Sequence, residues 1–434
     1  MLEIKGTGGN ELRSKLDFYK QHLYGSILPF WLEKGMDKEQ GGYFTCFSNT
    51  GDRLVSTDKY VWSQGRMVWL LAKLAEIEQE PSDYLELARM GYEFLKAHCF
   101  LPSGNCAFLL SSDGKFKEPV EGKGYDISTY ADCFVVLGFA KYAAVSGDTE
   151  ALDLALRLYD SIMARFERRE FRTEPEPLPP GYRAHGISMI LLNTSHELLR
   201  ALRKFNHSAV ARITTRCHCL VEDLTQNFIS SDGTIRELRH DTKDEDPCIL
   251  GRYANPGHSL EDMWFIIHYV VDLGGDKRQE LIELACQVIE KAFALGWDEE
   301  YGGLLHFVDV GGGKPQGELG VFAEHPLTQK LHSGWADKLW WVHSEAVYVT
   351  LLAYALTGKD SLWDLHRQIH DYTYATFPHP DPTIGEWIQI RDRQGQPVDK
   401  VVALPVKDPF HISRNLILLV ELLEEMLRAS QGDE

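Results

Sequence analysis

The sequence predicts an all-α fold, an (α/α)6 barrel of six inner and six outer helices with short β-hairpins at one end, residues 1–434 forming one domain. Three observations carry this. Helices of two kinds alternate, some apolar around most of their circumference and others apolar along one stripe. Glycine-rich hairpins recur after the striped helices and before the apolar ones. About twelve helices in 434 residues give six pairs of about 72 residues each. A stacked α-solenoid also alternates helix types, but it needs no hairpin in most repeats.

The helices are expected to begin near residues 10, 60, 84, 126, 149, 185, 207, 257, 277, 336, 360 and 409. The apolar kind includes Trp62–Ala75, Phe134–Val145, Met263–Leu273 and Trp340–Leu356, and such helices are buried on all sides. The striped kind includes Ala151, Leu152, Ala155, Tyr159, Ile162, Met163 and Phe166, which face a core on one side only. Gly147-Asp148, Gly275-Asp276 and Gly358-Lys359-Asp360 mark junctions where glycine ends one helix and aspartate caps the next.

An internal repeat links MDKEQGGYFTCFSNTGDRL from Met36 to WDEEYGGLLHFVDVGGGKP from Trp297, each with an acidic residue, a Gly-Gly pair and alternating residues before a turn. Weaker copies lie at Gly104–Phe116, Phe228–Leu238 and Gly385–Val398, so five hairpins are expected. Each precedes an apolar helix, which puts all five at the end where inner helices begin. There the unpaired N–H groups and positive dipole ends of those helices favour anionic species.

Composition narrows the function. A net charge of −19 repels polyanions, so nucleic acid is excluded as a partner. No apolar run reaches the roughly 18 to 20 residues that cross a bilayer, so no membrane partner is expected. The opening MLEIKGTGGNELR lacks the blocks of a signal peptide, so the expected location is cytoplasmic. Eight cysteines without a CxxC pair read as buried thiols. Cys217-His218-Cys219 cannot converge on one metal, because consecutive helical residues point about 100° apart. Gly311-Gly312-Gly313-Lys314 lacks P-loop spacing and reads as a turn.

Six ionisable residues stand at the hairpin end of otherwise apolar helices: Arg66, His258, Glu261, Glu345, His411 and Arg414. Polar groups there are costly unless they meet one another or a polar ligand, and one pocket would satisfy all six. Structural ion pairs account for Arg66 or Glu345 alone, and a helix-start salt bridge for His258 with Glu261. A carboxylate-histidine metal site would need His258 and Glu261 joined by His411 and Glu345. Trp341 and Trp387 offer faces to sugar C–H surfaces, with core packing as the alternative. His185 and His196 lie near the same elements as substrate-side or supporting residues.

The blocks WSQGRMVW, YADCF, GRYANPGHSLEDMWF, KLWWVHSEA, GEWIQIRDRQG and DPFHISRNL, in order across nearly the whole chain, resemble the N-acylglucosamine 2-epimerase family. The resemblance implies an (α/α)6 barrel that inverts sugars at C2, the type activity being N-acetylglucosamine to N-acetylmannosamine. Mannose or glucose 2-epimerases and aldose-ketose isomerases are the alternatives within it. By motif, its functional positions fall on Arg66, His258, Glu261, Glu345, His411 and Arg414. The partner is then a small aldose or N-acyl amino sugar. The resemblance also implies a homodimer and ATP as an allosteric activator. In PEPLPPGYRAHGISMILLNTSHEL the loop before the apolar helix departs from the family, which leaves substrate and nucleotide activation open.

The expected chemistry is removal of the C2 proton beside an open-chain carbonyl and its return from the opposite face. His258 and His411 suit the two acid/base roles, their ordinary pKa of about 6.5 lying near neutrality. Arg66, with Arg414, would stabilise the enediolate, and Glu261 and Glu345 would orient the histidines or bind hydroxyls. No metal or redox cofactor is required by this route. A glycoside hydrolase on the same barrel would instead use Glu261 and Glu345 as its carboxyl pair, and a non-catalytic sugar-binding scaffold is the third class.

Overall fold

A computed structural model describes residues 9–78, 83–242 and 246–432. In chain order, α1 (Gly9–His22) runs through a π-turn into α2 (Leu28–Lys34), followed by α3 (Val61–Ile77), α4 (Tyr84–His98), α5 (Thr129–Ser146) and α6 (Thr149–Arg168). Then come α7 (His185–Lys204), α8 (Val210–Asn227), the single turn α9 (Ile249–Arg252), α10 (Pro256–Leu273) and α11 (Arg278–Gly296). The short α12 (Pro326–Gly334), α13 (Trp340–Thr357), α14 (Asp360–Thr376) and α15 (His411–Gly432) complete the order.

Helices α3, α5, α7, α10, α13 and α15 pack in sequence into a ring, α15 closing on α3, while α4, α6, α8, α11, α14 and α1 lie outside it. This is the expected (α/α)6 barrel. Burial separates the two rings: α5 buries 14 of its 18 residues, whereas α6 buries 7 of 20, all on one stripe. One apolar core extends from Leu12 to Leu427 through both rings. The short α9 and α12, which carry no apolar stripe long enough to read in sequence, sit outside this scheme.

The hairpin end has a repeated construction. The strand entering an inner helix pairs antiparallel with a strand that follows the next outer helix. Thus β1 (Lys59–Tyr60) pairs with β2 (Leu109–Leu110), itself joined to β3 (Phe116–Lys117). Likewise β4 (Tyr182–Ala184) pairs with β5 (Leu238–His240), β6 (Tyr253–Ala254) with β7 (Val308–Asp309), and β8 (Lys338–Leu339) with β9 (Ile390–Arg391). A bridge between Ser128 and Thr173 does this for α5. Lys407 N–H donating to Thr45 O at 2.8 Å does it for α15. The five hairpins stand where expected, most of them closed by single bridges such as Phe100–Cys106 and Trp297–Leu304.

The sequence repeat has a structural cause. Lys59 Nζ donates to Asp37 Oδ2 at 2.7 Å and to Gly41 O at 2.6 Å, and Lys338 Nζ donates to Asp298 Oδ2 at 3.1 Å and to Gly302 O. Both ammonium groups are fully buried immediately before an inner helix. Each hairpin is a cradle that neutralises them, since an unpaired buried charge is prohibitive. Its glycines adopt positive φ, 81° and 72° at Gly41 and Gly42, 71° and 74° at Gly302 and Gly303.

The junctions follow the sequence in part. Gly147 ends α5 at φ 79°, and Asp148 caps α6 through Ala151 N–H at 3.0 Å. Elsewhere Gly274, not Gly275, ends α10, and neither Asp276 nor Asp360 is the cap, those positions falling on Lys277 and Lys359. Six of the eight thiols are buried as expected, but Cys219 is exposed and Cys248 half-buried. Among the described residues no helix is long and apolar enough to cross a membrane.

Candidate active site

A cavity of about 210 Å³ opens where the inner helices begin, lined by Arg66, His258, Glu261, His411 and Arg414 among others. Local capping places the two histidines. Asn255 caps α10 by accepting His258 N–H at 3.3 Å, with Pro256 in the first turn. Asp408 accepts His411 N–H at 3.0 Å at the start of α15. Both rings lie against the Trp341 indole, with centroids 5.2 Å away for His258 and 5.8 Å for His411.

On the His411 side, Nδ1 lies 2.7 Å from Glu345 Oε1, and Nε2 lies 3.2 Å from an Arg66 guanidinium nitrogen. A guanidinium only donates, so Nε2 accepts from Arg66; Nδ1 also lies 3.3 Å from Arg414 Nη2, but the shorter contact to Glu345 assigns it the proton. The Arg414 Nη2 protons go to Glu261 Oε1 at 2.6 Å and Glu345 Oε1 at 2.5 Å. Trp264 Nε1 donates to Glu345 Oε2 at 2.7 Å. Burial would raise the Glu345 carboxyl, but the Arg414 charge and the His411 bond outweigh it and hold the pKa at about 2. Burial lowers Arg66 to about 10 against the pull of Asp408 and Glu261. Its guanidinium is paired with Asp408 at 3.2 Å and lies 4.1 Å from the centre of the Phe134 ring.

On the His258 side, Nδ1 lies 2.9 Å from Glu237 Oε1. Burial disfavours a charged ring, yet the Glu237 charge and hydrogen bond win and raise the His258 pKa. Beneath, His185 Nε2 stands 3.0 Å from Asp262 Oδ2 and its Nδ1 3.7 Å from Glu237 Oε2. The two carboxylates overcome burial and lift His185 to about 10. The two histidines that reach the cavity are therefore held differently: His411 Nε2 accepts a hydrogen bond from Arg66, whereas His258 is biased toward holding its proton.

All six residues singled out at the helix starts converge, five on the cavity wall and Glu345 directly behind His411 and Arg414. Trp341 lines the cavity as well. Trp387 does not. Its indole is buried against Phe377 and Tyr374 and donates to His22 Nε2 at 2.6 Å, so it serves the packing of the N-terminal helix. His196 lies three turns along α7 from the mouth, paired with Asp272 at 2.9 Å. His185 is fully buried and reaches the site only through Glu237 and Asp262. The helix-start pair of His258 with Glu261 does not form, because they turn to Glu237 and Arg414.

Two groups bring three metal-capable ligand atoms within 4.8 Å of one another: His185, Glu237 and His258, and Glu261, Glu345 and His411. The second holds three of the four residues of the set the sequence suggested, without His258. In the second, Arg414 already bridges the two carboxylates, a donor set suited to a guanidinium. Glu237, Asp262, Asp408, Trp264 and His306 were missed from the sequence. Asp408 had a signal, an aspartate three residues before His411 as a helix cap, and Trp264 lay on the helix face of Glu261. Glu237 comes from a segment 21 residues from His258, and pattern alone does not join them.

The N-acylglucosamine 2-epimerase (GlcNAc 2-epimerase) family model matches residues 42–413. The Bos taurus N-acylglucosamine 2-epimerase is 31% identical over 413 residues, 92% of this chain and 89% of that one. The structure of a cellobiose 2-epimerase from Spirochaeta thermophila DSM 6192 superposes with a TM-score of 0.76 at 21% identity, covering 96% of this chain and 98% of that one. A D-mannose isomerase gives 0.71 at 18% identity over 95% and 97%. These two likenesses concern the fold. The matched family model takes in the site from Arg66 to His411, and the chain belongs to the N-acylglucosamine 2-epimerase family.

Proposed function

We propose that the protein is a sugar 2-epimerase that interconverts N-acetylglucosamine and N-acetylmannosamine. The observation that carries the chemistry is the pair of histidines lining one cavity, each held at Nδ1 by a buried carboxylate. Epimerisation at C2 needs one group to take the proton and another to deliver one to the opposite face. In the free enzyme His411 presents a lone pair at Nε2 and acts as base, and His258 acts as acid; the reverse reaction exchanges the roles. An open-chain sugar displaces Arg66 from His411 Nε2, and the guanidinium then faces the developing enediolate oxygen, where a fixed cation is most effective. Glu345 and Glu237 hold the rings and disperse the charge each gains. Glu261, fixed by Arg414, is left to meet a sugar hydroxyl. No step in this scheme calls on a metal or on ATP.

Three facts support the N-acyl substrate. Identity to the bovine N-acylglucosamine 2-epimerase is 31%, against 22% for a cellobiose 2-epimerase from Eubacterium cellulosolvens over a similar span. The cavity, about 210 Å³, is smaller than the ~300–1,000 Å³ of sites for larger ligands, which suits one sugar ring better than two. Its wall at Ile187, Ile190 and Phe265 offers an apolar face to an acetyl methyl. The test is incubation of the purified protein with N-acetylmannosamine, mannose and cellobiose separately, with and without ATP and with and without chelator. Conversion of N-acetylmannosamine to N-acetylglucosamine is expected under each condition; turnover of cellobiose or mannose alone overturns the substrate assignment.

A further inference from the structure

We propose that His185 is a positioning residue for His258: a buried imidazole clamped between Asp262 and Glu237 that steadies the Glu237 carboxylate against His258 Nδ1 and thereby governs proton exchange at His258 Nε2. This rests on the epimerase reading above.

The geometry assigns His185 no contact with substrate. It is the first residue of α7, fully buried, and does not line the cavity. What it touches is the support of His258. Its backbone N–H donates to Glu237 O at 2.9 Å, and Glu237 N–H donates to Tyr253 O at 3.1 Å, so the strands entering α7 and α10 grip Glu237 between them. The ring repeats the grip at side-chain level, with Nε2 at 3.0 Å from Asp262 Oδ2 and Nδ1 facing Glu237 Oε2 at 3.7 Å. Neither of those last two atoms has a hydrogen-bond partner among the described residues. They face one another across a gap that a slight closure turns into a bond. Space is kept by Gly186, where a Cβ would stand 3.2 Å from Glu237 Oε1 and 3.5 Å from His258 Cε1.

The two halves of the site then share one plan. Each cavity histidine is held at Nδ1 by a buried carboxylate, and each carboxylate is backed by a cation. Behind Glu345 stands Arg414, permanently charged; behind Glu237 stands His185, which is titratable. The groups that bear on His258 are Glu237 from the segment before β5, Glu261 and Asp262 on its own helix, His185 from α7, His306 from the segment after α11, and Arg66, Glu176, Lys330, His411 and Arg414 around the cavity. Removing the His185 charge leaves all of the Glu237 charge acting on His258, which must hold its proton more tightly. Removing the Glu237 charge does the reverse. A merely structural histidine produces no such pair of opposite shifts.

The test follows the His258 ring nitrogens by 15N NMR through a pH titration in the wild type, His185→Gln and Glu237→Gln, which needs no turnover. The His258 midpoint is expected to rise by about half a unit or more in His185→Gln and to fall by about one unit in Glu237→Gln. With N-acetylmannosamine as the probe, kcat at neutral pH falls about ten-fold in His185→Gln while KM stays within about two-fold, a fraction of the ~10²–10⁴ that general acid/base catalysis supplies. Midpoints that stay put, or that move in the same direction, overturn the proposal. If His185→Gln does not fold, the wild-type His185 ring decides: a cationic ring at pH 8 supports the clamp, and a neutral one overturns it. Absence of wild-type turnover on any aldose would defeat the epimerase reading instead, which the titration distinguishes.

Discussion

Arg66 sets a guanidinium nitrogen 3.2 Å from His411 Nε2. Because only His411 can accept in that pair, this contact and the 2.7 Å contact of Nδ1 with Glu345 together favour the tautomer with Nδ1–H toward Glu345 and the lone pair toward the cavity. The resting enzyme thus holds a base in place, shielded by the residue that will stabilise the product of its action.

His258→Asn and His411→Asn are each expected to lower epimerisation of N-acetylmannosamine by about 10³-fold or more. Circular dichroism should show an unchanged helical spectrum, since both rings line the cavity. Full activity in either variant removes that residue from the scheme.

Arg414 carries two buried carboxylates at once, Glu261 and Glu345. Arg414→Leu leaves both without a counter-charge and should destabilise the fold by about 3–5 kcal/mol, read from urea unfolding. A Glu345→Gln change added to it should return part of the loss, because one of the unpaired charges is gone.

Helices α3 and α5 cross with their backbones in contact. A Cβ at Gly65 would lie 2.3 Å from Phe134 O, and one at Gly138 2.5 Å from Gly65 O. Gly65→Ala must force the helices apart and is expected to lower the melting temperature by several degrees, at a cost of about 1–3 kcal/mol or more. It should also impair kcat, since Arg66 is the next residue.

The His185 pair gives a pH dependence with a defined sign. Its pKa is raised from 6.5 to about 10 in the folded protein, so the stability it contributes is fully present below about pH 6.5. That stability is lost as pH rises through about 10. The difference in melting temperature between wild type and His185→Gln should therefore be largest near pH 6 and shrink toward pH 10.

Much of this was legible in the sequence, for physical reasons. A barrel buries its inner helices on all sides, so α5 and α13 read as apolar around most of their circumference, and expected helix starts at residues 60, 149, 185 and 360 fall within one residue of those observed. The six polar residues stood out because charge is costly in such helices. Trp387 and His196 were misjudged because a tryptophan or histidine near a recognised motif looks the same whether it faces a cavity or a neighbouring helix. Trp387 turned to His22, and His196 to Asp272. Glu237 escaped because its partnership with His258 is made by strand pairing between β4 and β5 and by the entry to α10, contacts that carry no periodicity.

The central claim is proton transfer at C2 through two ionisable rings, and isotope exchange tests it directly. N-acetylmannosamine is incubated with enzyme in deuterated water until the two epimers reach equilibrium, and C2 is examined by NMR. The account predicts one deuterium at C2 of the N-acetylglucosamine formed, because the proton delivered comes from a ring in exchange with solvent. Equilibrated epimers that keep their original hydrogen at C2 would contradict it.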